Sequence, residues 1–269
     1  MRTVLLCIIL LAGWSTPVFN QQAKEITNSI GMKMVLIHPG SFTMGSPEEE
    51  KGRGPNETQH EVTISKSYYL GAYEVTQSEY EKLIGKSLSI HKGPKNPVEM
   101  VSWKDAVTFC KMLTELPEEK EAKREYRLPT DAEWEYACRA TSSAAYCFGD
   151  SPESLDEYAW YGEGRQSKTH PVGEKKANRW GLYDMHGNVW ELCQDWYSEG
   201  LPESATDPSG PQAGTRRVMR GGSWEFDMFV CRSASKGGLD TKLVSHTIGF
   251  RVAMNLPPKQ TESEGPPSK

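Results

Sequence analysis

Two acidic side chains flank a Gly-Asn turn in the densest polar stretch of the sequence. Asp184 and Glu191 lie on either side of Gly187 and Val189. Calcium binds carboxylate and backbone carbonyl oxygens together, so both side chains and the carbonyls of Gly187 and Val189 form a candidate calcium site. The same spacing also suits a β-turn flanked by exposed acids, and spacing alone favours that simpler interpretation.

A second dense stretch contains paired glycines beside a serine and a tryptophan, Gly221-Gly222-Ser223-Trp224, and Arg251 follows further along the chain. Paired glycines let a backbone pack tightly or a ligand approach closely. Ser223 lacks the Gly-x-Ser-x-Gly elbow of a serine nucleophile. The six histidines show no metal-ligand spacing, and phosphate-binding glycine loops are absent from the sequence.

The composition limits the class of protein that must position these residues. The chain has 269 residues, of which 37% are hydrophobic and 25% charged, and its mean hydropathy is −0.61. These values indicate a folded, water-soluble protein. The net charge of −5 provides no basic surface for nucleic acid or an anionic membrane. Eight Trp, 24 Gly and 17 Pro favour an irregular core over a helical bundle.

The N-terminus has the pattern of a secretory signal peptide, which we assign to residues 1–22. Arg2 precedes an apolar run over residues 4–14, and Ser15, Thr16 and Pro17 follow. The run is shorter than the ~20 residues that span a bilayer. An uncleaved anchor or a buried first strand are the alternatives. We expect export to the periplasm, the extracellular space or a secretory lumen, with no membrane attachment after the signal is removed.

Export places the cysteines that follow the signal in an oxidising compartment, where disulfides are expected. These cysteines are odd in number and none has C-x-x-C spacing, so one thiol should remain unpaired. They are Cys110, Cys138, Cys147, Cys193 and Cys231.

Strand and helix signals divide the chain into short elements. Residues 34–38 and 41–45 read as a hairpin joined at Pro39-Gly40, and strand patterns return at residues 60–64 and 68–70 after a charged surface loop. Three helices are predicted from capping boxes that begin at Thr76, Ser102 and Thr130. The second helix should bury Cys110 on its apolar face.

The boundaries of the folded region follow from composition. Residues 116–124 are highly charged and are predicted to form a solvated loop. Residues 257–269 consist of Pro, Gly, Ser and charged residues, which predicts a disordered tail. The sequence has no internal repeat, so residues 23–256 are predicted to form one domain.

Seven motifs, taken in order, resemble the formylglycine-generating enzyme family, the sulfatase-modifying factors, from about residue 29 to residue 256. Such an ordered set argues against chance similarity. The motifs lie at residues 39–46, 73–76, 96–103, 127–137, 181–191, 220–224 and 249–251.

The resemblance implies an α+β fold, a single irregular domain related to the C-type lectin fold with low regular secondary structure. It also implies calcium bound by the Asp184 and Glu191 side chains and the Gly187 and Val189 carbonyls, which favours the metal over the simple turn. A second family calcium site falls near residues 159–168, where the sequence has no matching acidic pattern.

The resemblance further implies a disulfide between Cys138 and Cys231. It provides only half of another bridge, because Val252 occupies the position that should pair with Cys110. A bridge between Cys147 and Cys193 is a hypothesis specific to this chain.

One departure from the family bears on function. Family enzymes oxidise a cysteine of a sulfatase, within Cys-x-Pro-x-Arg, using oxygen and copper held by two thiolates. Cu(I) prefers such sulfur ligands. In this chain the corresponding interval, residues 224–230, contains no cysteine, and its Met228 is only a weak thioether ligand.

Three functional hypotheses remain. The first is a binding module in which a groove near Ser223, Trp224 and Arg251 holds an exported protein or peptide, a glycan or a small molecule. The second is an oxidase that acts on sulfatase cysteines by a variant mechanism. The third is a structural exported domain whose aromatic residues serve only the core. The missing thiols favour the first hypothesis, and no residue is assigned as catalytic.

Overall fold

The computed structural model describes residues 25–162, 168–199 and 204–256. The predicted signal peptide and the predicted tail lie outside these residues. Each of the three longest helices begins at a hydroxyl side chain, Thr76, Ser102 or Thr130, which accepts a hydrogen bond from the backbone N–H of the third helical residue. The acid at that third position bonds back to the cap, so two N–H groups are satisfied at once. The three predicted helix starts are therefore confirmed.

The helices are α1 (Gln77–Ile84), α2 (Trp103–Thr114), α3 (Pro117–Glu121), α4 (Asp131–Arg139) and α5 (Leu155–Tyr158).

The predicted loop at residues 116–124 contains the short helix α3 instead. Pro117 begins this helix, where its fixed φ is favourable and its missing N–H is not needed. Glu119 is fully buried, and its carboxylate accepts hydrogen bonds from the Ser29 N–H at 2.6 Å and the Tyr126 hydroxyl at 2.7 Å. The loop prediction was wrong because one acid of this charged segment is a core residue.

Twelve strands of the described residues form three small sheets. They are β1 (Glu25–Thr27), β2 (Lys33–Ile37), β3 (Gly40–Met44), β4 (His60–Ile64), β5 (Tyr68–Gly71), β6 (Tyr126–Arg127), β7 (Trp190–Trp196), β8 (Ser204–Thr206), β9 (Arg216–Arg220), β10 (Lys236–Asp240), β11 (Ile248–Gly249) and β12 (Ala253–Asn255). The sheet orders are β1-β2-β5-β12-β6, β10-β9-β7-β11 and β3-β4-β8.

The strands β2 and β3 do not form the predicted hairpin. β2 pairs with β1 and β5, whereas β3 pairs with β4, so the corner at Pro39-Gly40 carries the chain from one sheet to another. A Cβ on Gly40 would lie 2.2 Å from the Tyr136 hydroxyl oxygen on α4. The hairpin prediction was wrong because this corner packs against α4 and the two strands diverge.

The core forms where α1 and α2 pack on the β-strands. The apolar face of α2 buries Phe109, Cys110 and Leu113, which confirms the predicted position of Cys110. The Phe109 ring stacks on Tyr80 of α1, with centroids 5.6 Å apart, and meets Phe250 edge-on at 5.5 Å. These contacts join the helices to the segment that precedes β12.

Three fully buried arginines link segments that are distant in sequence. They lie in the second half of the chain, and each guanidinium binds buried carboxylates. Such ion pairs compensate for the hydration that the charged groups lose on burial. The pairs include Arg220 with Glu135 at 3.0 Å, Arg232 with Glu57 at 2.8 Å and Arg251 with Glu191 at 2.5 Å. Together with the short sheets they make one irregular α+β domain, as predicted.

Candidate functional site

The predicted calcium residues lie on a tight turn that leads into β7. Asp184 and Asn188 adopt left-handed backbone conformations, with φ of 58° and 59°. Gly187 lies between them, and a Cβ there would come within 2.3 Å of the Trp160 carbonyl oxygen. Only glycine fits this close approach. The turn therefore brings Asp184, Gly187, Val189 and Glu191 into one buried region.

Glu191 is held by hydrogen bonds on both carboxylate oxygens. Arg251 donates from Nε at 2.5 Å and from Nη2 at 2.6 Å, and the Trp134 indole donates at 2.7 Å. A bidentate guanidinium contact of this kind is a strong, directional interaction. Glu191 therefore offers a metal only the lone pair that these three donors leave.

Asp184 has an oxygen available for a cation. Its Oδ2 accepts a hydrogen bond from the Gly173 N–H at 2.8 Å, whereas its Oδ1 is buried without a hydrogen-bond partner among the described residues. Burial raises the pKa of this carboxyl to about 6. An unpaired carboxylate oxygen in the interior is costly unless it is protonated or binds a cation.

A third carboxylate, Glu74, completes the region and was not predicted as a site residue. It accepts hydrogen bonds from the Asn188 side chain at 2.6 Å and the Val189 N–H at 3.0 Å. Burial, followed by the charges of Asp184 and Glu191, raises its pKa well above the usual value. Its place in a Tyr-Glu-Val-Thr motif was the only signal in the sequence.

The oxygen ligands of this region fit a divalent cation only in part. Neither Glu74 nor Asp184 has an ion-pair partner among the described residues, so the region holds more carboxylates than cations, and Asp184 offers a free oxygen. Glu191 is already engaged by Arg251. Over the described ranges, no group of three or more His, Cys, Asp or Glu side chains is arranged to hold a metal. A calcium ion here would therefore depend on Asp184 and the turn carbonyls. The second family site falls on residues 159–168, which lie partly outside the described residues.

The structure places two of the three residues of the predicted groove in the interior. Ser223 and Arg251 are fully buried, so neither borders solvent, and Arg251 is occupied by Glu191. Trp224 is 9% exposed and packs against two histidine rings, with centroids 5.4 Å from His91 and 5.5 Å from His246, and the two histidine rings are 5.8 Å apart. The predicted groove is corrected to a surface formed by His91, Trp224 and His246, here called the ring surface.

Two acids and two further aromatic rings lie beside the ring surface. The nearest nitrogen and oxygen atoms are 3.8 Å apart for His91 with Glu99 and also for His246 with Glu225. Burial and the neighbouring His246 lower the pKa of His91, which favours its neutral form. Phe226 is exposed and meets the Trp190 ring edge-on at 5.8 Å.

Asn188 links two tryptophans near the ring surface, and a third follows it in the chain. The backbone N–H of Asn188 donates to the backbone carbonyl of Trp160 at 2.8 Å, and the backbone carbonyl of Asn188 accepts from the backbone N–H of Trp224 at 3.0 Å. Trp190 follows two residues later at the start of β7. The indole nitrogens of all three tryptophans are buried and have no acceptor within the part of the chain that the structure describes. Such N–H groups usually find a partner.

All five cysteines of the described residues are buried free thiols. The Cys138–Cys231 bridge that the resemblance implies is therefore not formed, and neither is the Cys147–Cys193 bridge. His186 packs among three of them: its Nδ1 donates to the Cys231 carbonyl at 2.8 Å, its Nε2 accepts from the Cys147 N–H at 3.2 Å, and the Cys138 sulfur lies 3.8 Å from Nε2.

Burial also controls the reactivity of these thiols. It raises the pKa of Cys110 and of Cys147 to about 12, and it raises those of Cys138, Cys193 and Cys231 as well. The thiolate is the form that attacks disulfides and binds soft metals. None of the five thiols is therefore a reactive thiolate near neutral pH.

No helix among the described residues combines the length and the apolar character needed to cross a bilayer.

Comparisons with known proteins agree with the family that the sequence motifs indicate. Residues 19–256 match the family model described as Sulfatase-modifying factor enzyme 1-like domain. Chaperone protein LppX of Paenibacillus barcinonensis is 30% identical over 265 residues, covering 81% of this chain and 88% of that protein. Formylglycine-generating enzyme of Bos taurus is 26% identical, covering 82% of this chain and 74% of that protein.

A solved structure agrees with this assignment. The structure of PvdO from Pseudomonas aeruginosa superimposes with a TM-score of 0.76 at 29% identity, covering 87% of this chain and 98% of that one. A family model that spans nearly the whole domain and a common fold lead to one conclusion. The chain belongs to the sulfatase-modifying factor enzyme 1-like family.

Proposed function

We propose that this chain is an exported binding module of its family and not a copper-dependent oxidase. The observation that carries the proposal is the interval from Trp224 to Val230, which contains no cysteine. Thiol exchange requires an accessible thiolate, and Cu(I) is held most tightly by thiolate sulfur. Every described thiol is buried instead, and each has a raised pKa.

Cys231 illustrates why the remaining thiols do not replace the missing pair. It is the cysteine closest in sequence to the interval, yet it is fully buried. A Cβ on Gly222 would lie 2.6 Å from its sulfur, so the backbone covers this atom on one side. A substrate cysteine cannot reach it without displacing the glycine-rich segment.

The ring surface is the proposed ligand site. It presents aromatic rings, two imidazoles and the carboxylate of Glu225 within a small area, with the buried Glu99 behind His91, a mixture that suits a peptide, a glycan or a small molecule. A protein partner is supported by two relatives, one named a chaperone and one named for generating formylglycine. An exported protein such as a sulfatase is therefore the first partner to test.

Calcium and export complete the proposal. The free Asp184 oxygen and the carboxylates without cationic partners support a structural calcium ion bound by Asp184, Glu191 and the Gly187 and Val189 carbonyls, on a scaffold related to the C-type lectins. Export rests on the N-terminal pattern of residues 1–22. The ion would hold the turn in place and take no part in chemistry.

The test separates a binding module from an oxidase. The purified protein is incubated with copper, oxygen and a Cys-x-Pro-x-Arg peptide, and the aldehyde product is sought by mass spectrometry. We expect no conversion and no retention of Cu(I) against a modest chelator. Conversion would support the alternative function, a variant oxidase, and Met228→Leu and Cys110→Ser would then locate the sulfur involved.

Binding is measured with the same peptide by calorimetry. We expect His246→Ala to weaken binding at the ring surface, whereas His38→Ala, a change in the connection between β2 and β3, should leave it unchanged. Equal affinities of the two variants would remove the ring surface from the proposal. A complete lack of binding would leave glycans and small molecules as the ligands to test at the ring surface.

A further inference from the structure

A cleft of about 420 Å³ lies apart from the ring surface, at the N-terminal end of α4. Its floor includes the buried apolar residues Met44, Ala132 and Val218, and its rim includes Pro208 and Pro211. This volume is within the range of sites that enclose small molecules.

The carboxylate of Asp195 lines this cleft. Asp195 lies near the end of β7 and is only 3% exposed. Its Oδ2 accepts a hydrogen bond from the Asp131 N–H at the start of α4, with a distance of 3.0 Å. No Lys, Arg or His nitrogen of the described residues lies within ion-pair distance of it, which is unusual for a buried acid.

The nearby cations are committed to other acids. Lys236 lies 3.3 Å from Asp131, and Arg220 binds both Asp131 and Glu135. Glu135 also binds Arg139 at 2.8 Å, so Asp131 and Glu135 have two cationic partners each, whereas Asp195 has none among the described residues. A buried carboxylate in this position gains most from a cationic or strongly donating partner.

We infer that this cleft binds a small primary amine, whose ammonium group pairs with Asp195 and whose apolar body packs on Met44, Ala132 and Val218. Because Asp195 lacks an ion-pair partner among the described residues, its carboxylate selects a cation over an anion. An ammonium group suits a single carboxylate, because a hard metal ion requires several oxygen ligands and no such cluster is present among the described residues.

The pKa of Asp195 agrees with a carboxylate that lacks a cationic partner. Burial, and next the charge of Asp131, raises its pKa to about 7. The ionisable groups around it are Asp131, Glu133, Cys193, Arg217 and Arg220, together with His60 and Lys236 on the cleft wall. Because an ammonium ion binds the ionised carboxylate, affinity should increase about tenfold between pH 6 and pH 8.

The test uses 2-phenylethylammonium and its neutral analogue 2-phenylethanol, with affinities measured by calorimetry or NMR titration. We expect the amine to bind about tenfold more tightly than the alcohol at pH 8, since a charge-assisted hydrogen bond is stronger than a neutral one. Asp195→Asn keeps an acceptor for the Asp131 N–H but removes the charge. It should abolish both the preference for the amine and the pH dependence.

Two further variants control for folding and for location. Asp240→Asn makes the same chemical change at an exposed acid on β10 and should bind like the parent. Ala205→Leu narrows the cleft from β8 and should weaken both probes without altering the charge. Equal binding of the amine by the parent and by Asp195→Asn, or no saturable binding of either probe, would overturn the inference. Because the cleft lies outside the ring surface, failure here leaves the proposed function unaffected.

Discussion

At the scale of single residues, Arg251 is the most informative position to change. It binds Glu191 and also donates to the carbonyls of Gly71 and Tyr183 at 3.0 and 2.9 Å, all in the interior. Arg251→Ala would leave Glu191 as a buried charge with only the Trp134 indole as a donor. We expect a loss of about 3–5 kcal/mol in the free energy of unfolding, measured by urea denaturation.

The change Arg216→Ala is a matched control, because it removes the same charge from an exposed position. Arg216 is exposed and stacks on Tyr197 at 4.6 Å. Arg216→Ala should cost less than about 1 kcal/mol, because exposed cation–π contacts contribute little. Similar losses for the two variants would show that the Arg251–Glu191 pair does not hold the turn.

The residue types of the turn could be predicted from the sequence, whereas their partners could not. Asp184 and Glu191 follow from their spacing around Gly187. Glu74 and Arg251 reach the same region from distant segments, and local spacing contains no information on such contacts. The burial of Ser223 was missed for a similar reason, because a Gly-Gly-Ser stretch is equally suitable for a buried corner and an open groove.

At the scale of elements, the cap of α4 gives a quantitative prediction. The Thr130 hydroxyl accepts from the Glu133 N–H at 3.1 Å, and the Glu133 carboxylate bonds back to the Thr130 N–H at 2.9 Å. Thr130→Ala should cost about 1 kcal/mol of unfolding free energy. Thermal or urea unfolding measures this loss.

The comparison for α4 is Thr108→Ala in the middle of α2, where the hydroxyl bonds an exposed carbonyl of its own helix. That change should cost less, since alanine is the better helix former. A larger loss at Thr108 than at Thr130 would contradict the role assigned to the cap.

Helix starts were predictable because a capping box is a local chemical arrangement. Sheet pairing was not, because β2 finds its partners in β1 and β5 while β3 finds its partner in β4. A Pro-Gly corner fixes where a strand ends, but it does not determine which strand lies beside it. The short helix α3 was missed because its burial depends on contacts with Ser29 and Tyr126.

At the scale of the whole molecule, calcium should raise the thermal stability. At a calcium concentration about 100 times the Kd, binding adds about 2.7 kcal/mol, which corresponds to a rise in Tm of about 5–10 °C for a domain of this size. Differential scanning fluorimetry with calcium or with a chelator measures the shift. Asp184→Asn should reduce it, and Asp240→Asn should not. An identical Tm in calcium and in chelator would contradict the proposed ion.

The pH dependence of stability should contain a contribution from Asp195. Its pKa is about 7 in the folded protein, against about 3.9 in an unfolded chain, so the folded state holds the proton more tightly. Between about pH 4 and pH 7 this group lowers the free energy of unfolding as the pH rises.

The variant Asp195→Asn isolates that contribution. Subtracting the stability of the parent from that of the variant, both measured by urea denaturation across this range, should yield a difference that grows in favour of the variant with increasing pH. A flat difference would show that Asp195 titrates alike in the folded and unfolded chains.

The position of β12 has a consequence for biosynthesis. This strand, Ala253–Asn255, lies between β5 and β6 in the five-stranded sheet, with Ala253 opposite both Leu70 and Arg127. Most of the chain must therefore leave the ribosome before the sheet can close, and a nascent chain lacking these residues exposes two strand edges. The edges of β5 and β6 therefore stay unpaired until synthesis is nearly complete, and unpaired strand edges expose a folding chain to aggregation.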